Sequence, residues 1–182
     1  MKKAYMILLV TLGITAINAQ VCNTGQLLRP GHFSLGVAPC IFVTGGGNDF
    51  AAYLTAGVGL LRFVDLSVNA RLGERRTYFG ADFEWALLKG FPSLSLTTGA
   101  HVYRQVGIDA TINLTFPFRG VVSLYTGIDM DVEIRDDIAL PAWFFIGPEI
   151  RIRRGLALLI ELNVGITDVA PHIFVVGLGI YF

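Results

Sequence analysis

The stretch DMDVE, residues 129–133, sets Asp129, Asp131 and Glu133 at alternate positions. In an extended strand those three carboxyls share one face at intervals of about 6.8 Å. Paired carboxylates can activate water. The sequence has three histidines, His32, His101 and His172. His101 falls on a different segment from the acidic run and reads as a hydrogen-bonded interior residue. No Ser-His constellation accompanies it. The glycines of TGGGND (44–49) are followed by neither Lys-Ser/Thr nor a helical pattern, so they read as a hairpin turn and not as a phosphate loop. No enzyme activity, cofactor or metal site is therefore expected.

Whatever these residues do depends on the elements that carry them. The chain has 182 residues, is 53% hydrophobic and only 15% charged, and has 21 glycines. Charged residues in soluble domains are nearer a quarter. The first twenty residues, MKKAYMILLVTLGITAINAQ, place Lys2 and Lys3 before an apolar run and end near Ala19. This reads as a secretory signal peptide over 1–19, followed by an N-terminal periplasmic segment over 20–32. The alternatives are a short anchor helix, for which the apolar run is too brief, and a lipid anchor on Cys22, which Ala19-Gln20-Val21 does not favour. Cleavage after Ala19 leaves 12 basic and 14 acidic side chains, with Lys89 the one lysine remaining. That balance offers no basic patch for nucleic acid. In an oxidising compartment Cys22 and Cys40 could pair as a disulfide.

From residue 33 to 182 the pattern is alternation. Ten segments are expected, over Phe33–Val43, Ala51–Leu61, Val64–Leu72, Thr77–Leu88, Ser93–Tyr103, Ile108–Phe118, Val121–Glu133, Ala142–Arg153, Leu156–Thr167 and His172–Phe182. Their lengths match the roughly 9–11 residues of a tilted strand crossing a bilayer. In Leu156–Thr167 one face carries Leu156, Leu158, Ile160, Leu162, Val164 and Ile166; the other carries Ala157, Glu161, Asn163, Gly165 and Thr167, with Leu159 as the exception. A helical period would scatter these sets. The polar faces are rich in Gly, Asn, Ser, Asp and Arg rather than Lys, which suits an enclosed lumen. The apolar faces then meet lipid, and a sheet in hydrocarbon must close on itself. Tight connections (Arg62-Phe63, Lys89–Pro92, Arg119-Gly120, Arg154-Gly155) alternate with longer ones, as in an up-and-down barrel. Trp85, Phe116, Phe118 and Phe182 fall near one rim, Phe79 and Phe144 near the other.

With these spans and the closing GIYF (179–182), the chain resembles bacterial outer-membrane β-barrel proteins of the small OmpA/OmpW-like kind. The resemblance implies an all-β, closed antiparallel transmembrane barrel in the outer membrane; the alternation counts about ten strands, and the eight of small OmpA-type barrels is the alternative. It implies outer-membrane lipids and the barrel-assembly machinery as partners, with Tyr181 and Phe182 as the assembly signal. No peptidoglycan-binding module follows the last segment, so that family function is not expected.

The inward face then carries Asp65, Asp82, Glu84, Asp109, Asp129, Asp131, Glu133, Glu149 and Glu161 against Arg71, Arg119, Arg135, Arg151 and Arg153. Buried charges need partners, so the first expectation is a lumen sealed by salt bridges, with little free space inside ten strands. The other is a narrow path for small solutes, cations favoured by the excess of acids. Outer-membrane proteases of the omptin type also have ten strands and use Asp pairs with a histidine. Neither their tall extracellular strands nor an Asp-His pair is evident here. An outer-membrane enzyme acting on lipid or peptide at the outer rim is the alternative function.

Overall fold

The computed structural model describes residues 26–73, 77–102, 106–118, 120–134 and 138–182. The signal peptide, Cys22, Arg119 and Arg135 lie outside the described residues. Ten strands follow one another: β1 (Phe33–Thr44), β2 (Gly47–Leu61), β3 (Val64–Gly73), β4 (Tyr78–Leu88), β5 (Ser93–Val102), β6 (Val106–Phe118), β7 (Val122–Glu133), β8 (Ala142–Arg153), β9 (Leu156–Gly165) and β10 (His172–Tyr181). Each pairs antiparallel with its neighbour in sequence, and β1 pairs with β10, so the sheet is a closed up-and-down barrel.

The strand count and inward faces agree with the alternation. The largest difference is β2, which begins at Gly47 and not at Ala51. The turn needs only Gly45 and Gly46, because Thr44 already pairs with Gly47 and its hydroxyl bonds the Gly47 carbonyl. Gly47 has φ +140°, a conformation that other residues rarely adopt. Register shifts in three hairpins, at Gly59/Leu61, Ala86/Leu88 and Arg151/Arg153, all fall at the tight-turn end, where the alternation is least regular.

Outward faces expose Val68, Ile112, Ile128, Leu162 and Leu178 along their length. Phe79 and Phe144 lie outward toward the loop end; Trp85, Phe118 and Phe182 lie outward toward the tight-turn end. Phe116 is half-buried, edge-on to Phe91. Tyr181 points inward, into a small cluster with Leu28 and Ala157.

The lumen differs from the expectation of little free space. Its middle is packed by Ser95, Thr97, Asn113, Thr115, Tyr125, Glu149 and Leu159, none more than 1% exposed. Leu159, the exception in its segment, belongs to this packing and forms a core with Tyr125 and Phe145. Toward the tight-turn end the chain before β1 enters the barrel. The Leu28 amide donates to Asp65, Gln26 bonds Ser123 and Arg151, and Gly31 pairs with Gly59. Toward the loop end the lumen is hollow, with a cavity of about 530 Å³.

Candidate functional site

The cavity is walled by inward residues of all ten strands, and its acidic side is built by β4 to β7. Their registers place the inward positions in three lateral rows. The lowest runs Glu84, Thr97, Thr111, Asp129; the next Asp82, Gly99, Asp109, Asp131; the highest Gly80, His101, Gly107, Glu133. Across a sheet, directly opposed and diagonal side chains touch. In the upper two rows glycines stand beside large polar side chains: Gly99 between Asp82 and Asp109, and Gly80 and Gly107 on either side of His101.

Those glycines make the room. A Cβ on Gly99 would strike the carboxylates of Asp82 and Asp109, and one on Gly107 would strike the His101 ring. Asp82 and Asp109 lean toward each other over Gly99. His101 lies against the backbone of Gly107, and Tyr78 stacks on it with ring centroids 5.1 Å apart. Its Nδ1 stands 2.8 Å from Oδ2 of Asp109. This corrects the expectation that no Asp-His pair is present. The pairing is diagonal across the β5–β6 hairpin, one step from the His101–Gly107 register pair.

Hydrogen bonds hold Asp82, Asp129 and Glu161. The Thr111 hydroxyl donates to Asp129 at 2.5 Å, and the Asn69 amide donates to Oδ2 of Asp82. Glu161 accepts from Asn163 at 2.8 Å. Next to this acidic side, on β3, Arg71 is boxed by aromatic rings: its guanidinium carbon lies 5.1 Å from the Phe42 centroid and 5.6 Å from those of Tyr53 and Tyr78. It also donates to the Tyr53 hydroxyl at 3.1 Å. The planar guanidinium suits such stacking.

The candidate charges thus divide by depth. Arg71, Asp82, Asp109, Asp129, Asp131, Glu133 and Glu161 line the cavity, as does His101. Glu84 and Glu149 are buried below it. Asp65 and Arg151 meet the N-terminal segment, Arg151 also lying 3.9 Å from Glu149. Arg153 is exposed at the tight-turn end. The Cys40 sulfur is buried beside Phe42 and Val175, 3.4 Å from the Ala51 carbonyl oxygen; Cys22, its expected partner, lies outside the described residues. Residues not singled out from the sequence, Tyr78, Asn69 and Trp143, complete the wall; Trp143 donates its indole N–H to the Pro171 carbonyl.

No family model and no curated protein matches the sequence. Among solved structures the chain is similar to the Yersinia pestis outer membrane protein Ail in a phospholipid bilayer nanodisc. The identity is 10% over 84% of this chain and 99% of that one, with a TM-score of 0.43. For Neisserial surface protein A the identity is 11%, over 82% and 94% of the two chains, with a TM-score of 0.37. For the crystal structure of Yersinia pestis Ail it is 9%, over 85% and 100%, with a TM-score of 0.32.

Proposed function

We propose that the protein is an integral outer-membrane barrel, exported by a cleaved signal peptide, whose lumen is a blind acidic cup for small cationic solutes. The observation that carries this reading is the depth profile of the lumen. An acid-walled cavity of about 530 Å³ sits above a layer of fully buried side chains, with the Gln26–Pro30 segment beneath. A second cavity, lined by that segment with Arg62, Lys89 and Ser93, shares no lining residue with the first. Retention in the cup is favoured over passage through the barrel.

Membrane placement is supported by the apolar outward faces and by a sheet with no free edge. In bacterial barrels tight turns face the periplasm, which turns the cup to the exterior. Planar-bilayer conductance of the refolded, heat-modifiable chain tests the reading, with Trp143 fluorescence as a monitor. A Trp85→Phe variant leaves Trp143 as the sole tryptophan. Silent membranes with saturable quenching by spermidine are expected; discrete conductance steps reject a blind cup.

One observation favours a second reading, a hydrolase acting at the outer rim. The His101–Asp109 pair with Asp131 alongside has the groups to activate a water molecule. Hydrolysis of a peptide or phospholipid panel that disappears in His101→Ala supports it; no turnover by the folded wild type rejects it.

A further inference from the structure

We propose that the cup holds one divalent first-row transition metal ion, zinc(II) or a neighbour, on His101, Asp109 and Asp131, with Asp82 as a fourth donor. This deepens the cup reading and rests on it. Two separate observations carry the inference.

The first is convergence. One donor atom from each of His101, Asp109 and Asp131 lies within 4.8 Å of the others. Donors about 2.1 Å from a shared ion stand roughly 3 Å apart at right angles and at most about 4.2 Å apart. The 2.8 Å between His101 Nδ1 and Asp109 Oδ2 is already a spacing that two ligands on one ion adopt. A small carboxylate rotation closes the rest.

The second is Asp82, which is 7% exposed. Its Oδ2 takes the Asn69 amide, but its Oδ1 is buried and has no hydrogen-bond partner among the described residues. That oxygen lies over Gly99 beside Oδ1 of Asp109, at the edge of the cluster. Buried polar atoms are rarely left unsatisfied, and a cation would satisfy this one.

The donor set narrows the ion. One imidazole with carboxylates suits zinc, manganese, iron or cobalt, whereas calcium and magnesium take oxygen ligands. The surroundings act as an outer shell: Asn69 fixes Asp82, while Tyr78 and the bare backbone of Gly107 fix the imidazole plane. Gly99 and Gly107 keep the space between the donors free of side chains.

The test is calorimetric titration of zinc chloride into the tag-free, refolded chain in detergent micelles. One equivalent should bind, and His101→Ala and Asp109→Asn should weaken binding at least tenfold while heat-modifiability is kept. His32→Ala and His172→Ala should leave the affinity unchanged. If the cluster variants do not refold, wild-type protein with cobalt(II) gives the answer: a visible d–d spectrum that zinc abolishes supports the site. Absent zinc binding, an unchanged affinity in refolded cluster variants, or a featureless cobalt spectrum overturns it and leaves Asp82 and Asp109 as acids sharing a proton. Spermidine titration of the Trp85→Phe chain, refolded in the same micelles, separates the two failures. Quenching of Trp143 without zinc binding removes the metal site and keeps the cup; no response to either removes both.

Discussion

The backbone N–H of Leu28 donates to Oδ2 of Asp65 across 2.7 Å, joining the chain before β1 to the start of β3 inside the barrel. Leu28 is 2% exposed, so this amide has left water and Asp65 is its acceptor. Asp65→Ala should destabilise the barrel by about 1–3 kcal/mol, the usual cost of stranding a buried donor. The Leu28 amide should then exchange hydrogen much faster than in wild type. Asp65→Asn keeps an acceptor oxygen and should retain most of the protection. Equal exchange in wild type and Asp65→Ala would show that the segment is not held there.

The packed middle of the lumen makes a separate prediction. Tyr125 and Leu159 are both 0% exposed and belong to one cluster. Tyr125→Ala combined with Leu159→Ala should open that layer, each change costing about 2–5 kcal/mol. Joined with removal of the chain up to Pro30, the double variant should show cation-preferring steps in planar bilayers. Asp129 and Glu161 line the route. A silent but folded variant would place the seal elsewhere.

Gly99 tests the cradle. A Cβ there would strike two carboxylates, so Gly99→Ala should cost about 1–3 kcal/mol by overpacking. Around Gly45 nothing lies within 4 Å of an added Cβ, and Gly45→Ala should stay within about 0.5 kcal/mol of wild type. Urea unfolding in micelles compares the two.

Arg71 sits against Phe42, Tyr53 and Tyr78 and is 6% exposed. Desolvated cation–π contacts are worth about 2 kcal/mol or more. Arg71→Met should therefore lower the unfolding midpoint clearly. Arg71→Lys keeps the charge without the planar stack and should recover only part of the loss.

Depth in the membrane is testable on the outward face. Ile112 lies mid-strand on β6, and Ile152 lies near the tight-turn end of β8. Arginine at the bilayer midplane costs about 2–4 kcal/mol and near the interface about 0–1. Ile112→Arg should thus be the more damaging change in liposome unfolding. Equal small effects would place this face outside hydrocarbon.

The strands were legible because a two-residue period survives any uncertainty in length. Val122, Leu124, Ile128 and Met130 opposed to Ser123, Tyr125, Asp129 and Asp131 already fixed which side of β7 faces in. The His101–Asp109 pair was harder to see, because the period assigns faces but not heights, and height comes from hairpin register. The signal was present: Gly99 and Gly107 stand two positions from His101 and Asp109, each removing a side chain where the pair needs room. The QLLRP segment (26–30) gave no such sign. It has no period, and its partners Asp65, Ser123 and Arg151 lie far along the chain.

The seam between β1 and β10 has a kinetic consequence. Phe33 and Phe182 exchange backbone hydrogen bonds, and His32 Nδ1 lies 2.9 Å from the Phe182 carbonyl oxygen. Every other strand pairing is a local hairpin, whereas this one joins residues about as distant in sequence as the sheet allows. Long-range closure draws on chain entropy before any contact repays it. Hairpins can therefore zip in succession as the chain emerges, but the sheet retains two open edges until its last strand docks. The β1–β10 pairing therefore carries the largest closure entropy in the sheet, and a template that shields the β1 edge until β10 arrives would act on that step.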